Sequence, residues 1–366
     1  MRFSFFIKTR FFFPAFFAAI LLQACNKEYD KTDTTPPAIN KPGPTGTVVL
    51  NELINSDTTF SFLKAAIAKA GLGALLSNNE TWFTLFAPDN AAFRRSGIPS
   101  EEVITMGLDE ATVRSILSYH LIPGYLPAEQ IPTTFPNLQY ATALNPAPQL
   151  SPLLRLTIFP SRRDNGAWVN NIPIIQPDNH ASNGVLHRVA ALVAPPSKSI
   201  YEIIAADTSL TFLVAALNRA DSGRTTIAEG SLTEAVKSIG ANLTLFAPVN
   251  QAFRQLFAAM NLPQSEAVFS AFPVSQARGL VAYHLLNSRA FSVNMPTAAT
   301  FIPTLLNSGI PEHPGVNVVV AFTGPFVTSF QVTGVANGGA NATVLMQDLH
   351  ATNGVIHKID MVLLPQ

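Results

Sequence analysis

Cysteine is almost missing from this chain: Cys25 is the only one in 366 residues. That excludes a disulfide framework and any cysteine-rich zinc or iron–sulfur site. Charge is scarce too, with Asp, Glu, Lys and Arg at 13% and a formal net charge of zero. Arg2, Lys8 and Arg10 stand in an N-terminal stretch without acids, and leaving them out sets 20 bases (23 − 3) against 23 acids. No basic footprint for nucleic acid remains. Hydrolase signatures are absent: there is no Gly-x-Ser-x-Gly and no His-Glu-x-x-His. No glycine-rich loop opens a helix to cradle phosphate, since Gly71-Leu72-Gly73 follows one instead.

What the chain has is a duplication. Thr84-Leu85-Phe86-Ala87-Pro88-Asp89-Asn90-Ala91-Ala92-Phe93 returns as Thr244-Leu245-Phe246-Ala247-Pro248-Val249-Asn250-Gln251-Ala252-Phe253. Tyr119-His120 returns as Tyr283-His284, and Asn183-Gly184-Val185-Leu186-His187 as Asn353-Gly354-Val355-Ile356-His357. The offsets are 160 (244 − 84), 164 (283 − 119) and 170 (353 − 183) residues. Such a period is too long for a solenoid and fits two whole domains in tandem. With 48% hydrophobic residues there is material for two cores.

The N-terminus reads as an address. The three cations precede an apolar stretch, Phe11 to Leu22, too short to span a bilayer and suited to a signal peptide over residues 1–24. Leu22-Gln23-Ala24-Cys25 resembles the lipobox of bacterial lipoproteins, which implies that Cys25 is acylated and anchors the mature chain in the outer membrane. The other reading is an ordinary secretory signal with an incidental cysteine. Residues 25–46, rich in Thr and Pro, predict a disordered tether. Asn26-Lys27-Glu28 is loosely similar to the Lys-acidic export signal of surface-displayed lipoproteins of the Bacteroidetes; a periplasmic face is the alternative. The Asn-x-Ser/Thr sites at Asn79, Asn242 and Asn341 mean little behind a lipobox.

Each repeat, 47–196 and 197–366, opens with a capped helix: Asp57 ahead of Phe60, Leu63 and Ile67 with Gly71 as the stop, and Asp207 ahead of Leu210, Leu213 and Leu217. The Leu-Phe-Ala-Pro segment predicts a short strand ended by its proline. Asp89 or Asn90 then caps a helix, with Asn250 the remaining candidate in the second copy. His120 and His284 fall on the apolar faces of helices, the first expected to end at Pro123-Gly124. Strands follow at Leu154 to Phe159 and Trp168 to Ile175, then a hairpin turning at Asn183-Gly184 or Asn353-Gly354. Val185, His187 and Val189 alternate on one face of it, as do Val355, His357 and Ile359. Helices early and strands late predict an α+β fold, not a βαβ sheet. Pro195-Pro196-Ser197 marks the boundary as a stiff linker.

Together the three motifs resemble the fasciclin-like (FAS1) domain family, over everything after the tether. The resemblance implies two tandem wedges, each a β-sandwich-like core with packed helices, and a role in adhesion or surface interaction. The first copy departs from the family's final Ile-Asp pair, kept as Ile359-Asp360, by having Val189-Ala190. Arg162-Arg163-Asp164 is no Arg-Gly-Asp, so integrin binding is not carried over.

The motif residues Tyr119, His120, Asn183, His187, Tyr283, His284, Asn353 and His357 are expected to be structural, the histidines as hydrogen-bonded core residues. A metal site from Asp178, His180 and His187, repeated as Asp348, His350 and His357, fits zinc-ligand spacing poorly. No metal, cofactor or catalytic residue is expected. The function read from this is a lipid-anchored cell-surface protein that binds an extracellular glycan, matrix or surface protein without catalysis. Its exposed candidates are Arg162, Arg163 and Glu312-His313. The alternative is a carrier of a small apolar ligand, carotenoid- or haem-like, in an interior groove near Phe93 or Phe253.

Overall fold

The computed structural model describes residues 43–366; the signal peptide, Cys25 and the tether up to Pro42 lie outside the described residues. In the first repeat, helices α1 (Leu50–Ser56), α2 (Ser61–Ala70), α3 (Asn90–Arg95) and α4 (Glu110–Tyr119) accompany strands β1 (Phe83–Pro88), β2 (Leu121–Pro123), β3 (Pro160–Arg163), β4 (Gly166–Val169), β5 (Ile172–Ala181) and β6 (Gly184–Val189), with shorter turns between. The six strands lie in the order β2-β1-β6-β5-β4-β3. The second repeat has α5 (Ile200–Ala206), α6 (Thr211–Ala220), α7 (Asn250–Ala259) and α8 (Val274–Tyr283) with β7 (Leu243–Pro248), β8 (Leu285–Leu286), β9 (Thr300–Ile302), β10 (Val316–Thr323), β11 (Phe326–Thr333), β12 (Ala342–Ala351) and β13 (Gly354–Ile359). Its seven strands run β8-β7-β13-β12-β11-β10-β9. The fold is α+β, yet each sheet contains one parallel pair at its heart, β1 with β6 and β7 with β13. The long stretch of chain between the paired strands makes that crossover possible.

Those pairs explain the unbroken apolar run of the first motif. On one face of β1, Leu85 and Ala87 pack with Leu186 against Leu63, Ile67, Val113 and Leu117 of the helices. On the other face, Phe86 joins Tyr119, Ile158, Val169 and Val189. All six residues of β1, and all six of β7, are buried. A strand covered on both faces reads as continuously hydrophobic.

Several sequence expectations change here. Pro123-Gly124 ends β2, while α4 has already stopped at Tyr119. Of Leu154 to Phe159, only Thr157–Ile158 is extended, paired with Tyr140–Ala141. Trp168 to Ile175 is broken between β4 and β5 by a turn in which Asn170 has φ 55°. The repeats open one helix earlier than the periodicity indicated, with Asp57 and Asp207 at the ends of α1 and α5. Asp57 still accepts from Thr59 N–H, starting the short turn into α2. Asp89 caps α3 through the Ala92 N–H. Asn250 does not cap α7; its Oδ1 takes the Phe212 N–H of α6, as Asn90 takes that of Phe62. Without a cap, α7 is ten residues against six in α3, held by packing of Phe253 and Phe257 with Phe212 and Phe269.

Another departure between the copies has a physical cause. Asp360 Oδ1 accepts the Thr343 N–H at 2.7 Å. Where Asp360 N–H bonds Thr343 O, Ala190 N–H bonds Pro173 O. Proline has no N–H, so a carboxylate at 190 would find no donor there.

The hairpins turn at Ser182-Asn183, because Gly184 already pairs with Ala181. A Cβ on Gly184 would sit 1.9 Å from Phe83 O, so only glycine lets β6 start this close to β1. Asn183 is wholly buried. Its Oδ1 accepts the Leu50 N–H at the start of α1 (2.8 Å), and its Nδ2 donates to Leu76 O and Asn78 O (2.9 Å each). Asn353 does the same for Ile200 N–H and Val236 O. Asn183→Ala strands those buried groups and is expected to cost about 2–4 kcal/mol. Urea unfolding should register a lower midpoint at unchanged slope; a loss under about 0.5 kcal/mol would contradict this role for Asn183.

Candidate functional site

The motif histidines are fully buried, His187 and His357 within β6 and β13, His120 and His284 at the ends of α4 and α8. His120 Nδ1 donates to Ile116 O at 2.8 Å, and its Nε2 accepts the Val193 N–H at 2.9 Å. His284 repeats this with Leu280 O and Leu363 N–H. His187 uses its nitrogens the other way round: Nδ1 accepts the Asp178 N–H and Nε2 donates to Leu126 O. His357 matches it with Asp348 N–H and Ala290 O. All four are neutral and spent on backbone groups. Burial pushes His120 and His284 down to about 4, and lowers His187 and His357 as well.

The tyrosines are equally committed. Tyr119 OH donates to Thr157 O and accepts from Asn170, and Tyr283 OH donates to Gly315 O and accepts the Val335 N–H. Burial raises both phenols. The residues weighed as a metal site take separate duties. Asp178 caps the Ala128 N–H, His180 bonds Tyr125 OH, and His187 faces Leu126. Among the described residues no three His, Cys, Asp or Glu side chains converge as metal ligands.

The groove expected near Phe93 and Phe253 is filled. Beside Phe93 the apolar interior leaves about 10 Å³, room for one water-sized molecule, and Phe253 is closed in by Phe212, Phe257 and Phe269. An open cleft of about 850 Å³ lies elsewhere, between the repeats, with Leu144, Leu154, Pro195, Tyr201 and Ile239 in its lining.

The exposed candidates also move. His313 is buried against Tyr283, with Nε2 on Pro365 O and Nδ1 on Gly315 N–H; Glu312 alone of that pair is exposed. Arg162 and Arg163 belong to β3 and are half-buried where the repeats meet.

That junction is the feature sequence reasoning missed. Gly43–Gln366 is one compact unit, and Phe159 and Trp168 of the first repeat share a core with Phe291, Val293 and Val355 of the second. Trp168 Nε1 donates to Pro325 O at 2.8 Å, Asn165 to Gly324 O at 2.9 Å, and Arg163 to Met295 O. Arg289, 2% exposed, lays its guanidinium 4.7 Å from the Phe159 ring centre and donates to Asn242 Oδ1, His350 Nε2, Ala351 O and Thr352 O. Burial brings its pKa down to about 10. His350, beside that cation and against Tyr119 and Phe291, is held well below the usual histidine range. The available signal was the mismatch between copies: six residues after the motif tyrosine stand Tyr125 and Arg289, and two further on Pro127 and Phe291.

Neutral burial of His120 and His284 makes stability depend on pH with a definite sign. The unfolded chain protonates them near 6.5 and the folded one only near 4. Their stabilising share is therefore whole above pH 6.5 and is lost as pH falls toward 4, by roughly 3 kcal/mol for each. Denaturant titrations at pH 7, 5.5 and 4.5 should trace that decline. His120→Ala should cost about 1–3 kcal/mol at pH 7 and flatten the decline by one histidine's share. An unchanged slope, or a melting point raised by zinc and lost on substitution, would overturn the structural role.

The fasciclin domain family matches residues 58–195 and 210–365. The pig transforming growth factor-beta-induced protein ig-h3 is 28% identical over 229 residues, 62% of this chain and 29% of that protein. The cell surface glycolipoprotein MPB83 of Mycobacterium bovis is 28% identical over 116 residues, 32% of this chain and 45% of its own length. The chain thus spans less than half the length of either relative. Among solved structures, a FAS1 domain pair from the insect cell adhesion molecule fasciclin I aligns over 83% of this chain and 95% of its own, at 17% identity and a TM-score of 0.36. With both motif-bearing repeats matched across most of its length, this chain belongs to the fasciclin domain family.

Proposed function

We propose that this protein is a lipid-anchored surface protein that binds an extracellular glycan, matrix component or surface protein through its outward faces, without chemistry. One observation carries the reading. The polar atoms of the shared motifs are turned inward and hydrogen-bonded to the backbone, so they hold the fold and leave recognition to exposed surface. Such groups are poor bases or nucleophiles, since a general base must reach a substrate proton. The similarity to a cell surface glycolipoprotein points the same way.

The anchor rests on Leu22-Gln23-Ala24-Cys25, with a positive leader before it and a Thr- and Pro-rich stretch after it. Among the described residues no helix is long and apolar enough to cross a membrane. In this reading the attachment to the outer membrane runs through Cys25. Packing begins inside the stretch expected to be tether, which shortens it: Gly43 lies under the Trp82 ring and Gly46 N–H bonds Ala181 O.

Cys25→Ser is expected to move the protein into the soluble fraction or block its processing, and the wild type should take up a fatty-acid analogue. Partitioning that ignores the substitution removes the anchor. External protease on intact cells should strip the domains, whereas protection until the outer membrane is opened puts them in the periplasm. An extractable stoichiometric chromophore in protein from its native host would replace this reading with the carrier.

A further inference from the structure

At the junction of the repeats lies a second open cleft, of about 780 Å³. Arg162, Arg163 and Asn165 line it from the first repeat, and Thr297, Thr300 and Phe322 from the second. Of the two guanidiniums, that of Arg162 is the poorly occupied one. Arg163 donates to Met295 O and stacks 5.5 Å from the Phe322 ring centre, and its pKa is lowered by desolvation. Arg162 makes one long bond to Glu129 O at 3.4 Å, and its Nε is buried without a partner. Among the described residues, neither guanidinium appears in an ion pair with a carboxylate. Asp164 is the one acid lining the cleft.

Arg162, half-buried with an unpartnered Nε and no carboxylate in contact, is a cation costly to hold. An anionic group entering the cleft relieves that cost, and guanidinium forks match a carboxylate or sulfate in shape. Threonine, asparagine and alanine make up much of the remaining lining, with hydroxyls to meet other hydroxyls, beside Pro296, Val320 and Phe322. The cleft lacks the deep apolar pocket in which a peptide side chain would anchor.

We propose that this cleft binds an acidic oligosaccharide, its anionic group held by Arg162 and its hydroxyls by the threonines of both repeats. The inference rests on the surface-binding reading above and names its ligand class. Because the walls come from both repeats, the site exists only in the docked pair. That gives the buried junction a use beyond stability.

The test is calorimetric titration of the full chain in detergent with trigalacturonate, a short dextran sulfate, neutral maltotriose and triglutamate. Arg162 is the position to change, since Arg163 also ties the repeats together. Either acidic saccharide should bind, and the stronger of the two identifies carboxylate or sulfate as the group recognised. Arg162→Ala should weaken binding about tenfold or more, Arg162→Glu should abolish it, and Arg162→Lys should restore part of it, all at wild-type melting temperature. Maltotriose should not bind. The proposal falls if neither acidic saccharide binds, if the Arg162 variants bind like wild type, or if triglutamate binds as well as the saccharides. Variants that still attach to cells or matrix while ignoring acidic saccharides sink the cleft alone; a protein that binds no surface or glycan sinks the broader reading too.

Discussion

Everything in each repeat is arranged around a parallel strand pair buried on both faces. Once β1 and β6, or β7 and β13, are cut off from water, the polar groups around their ends have to be satisfied from within. Asn183 and Asn353 do this at one end, bonding the first helix of the repeat and the loop beneath it. His187 and His357 do it along the strand, and His120 and His284 tie the end of a helix to the segment leaving the sheet. The repeated motifs are therefore the hydrogen-bonding solution to one burial problem. Their chemistry is used up in the solving.

Outside those motifs the copies differ. Arg289 and Phe291 stand where the first repeat has Tyr125 and Pro127, and they are the residues that meet Phe159 across the junction. On the other side, the long hairpin of β10 and β11 brings Phe322 and Pro325 onto Trp168. The first repeat's Tyr125 instead bonds His180 and packs edge-on to Trp82, which stays 46% exposed. The same position thus serves as glue in one copy and as outer surface in the other. Duplication followed by divergence has made a single body with an inside seam, and the seam carries clefts that neither repeat has alone.

Much was legible in the sequence, because burial and turn chemistry leave local marks. The motif order, the α+β class, the apolar strand ending at Pro88, and the Asp89 cap all follow from residue type and spacing. Other elements misled for identifiable reasons. Asn250 looked like a helix cap by position, but its amide serves a different helix, α6, which lies close only in the folded chain. Asn183-Gly184 reads as a hairpin turn, yet Asn183 is needed for α1, 133 residues away in sequence, and Gly184 for close approach to Phe83. The departure of Ala190 from the family's final pair has its reason across the sheet, where Pro173 has no N–H to offer a carboxylate.

The sequence by itself determined the two-copy plan, the inward histidines and the family, since each depends on patterns within a few residues of one another. Only the tertiary structure decided that the repeats form one unit and that Arg162 and Arg163 face a cleft instead of a free loop. It also decided that the space near Phe93 is closed. The first two outcomes depend on contacts between residues more than a hundred positions apart, such as Arg163 with Met295 or Trp168 with Pro325. Periodicity and propensity carry no record of such pairs. They arise when two surfaces have the shape and charge to exclude water together.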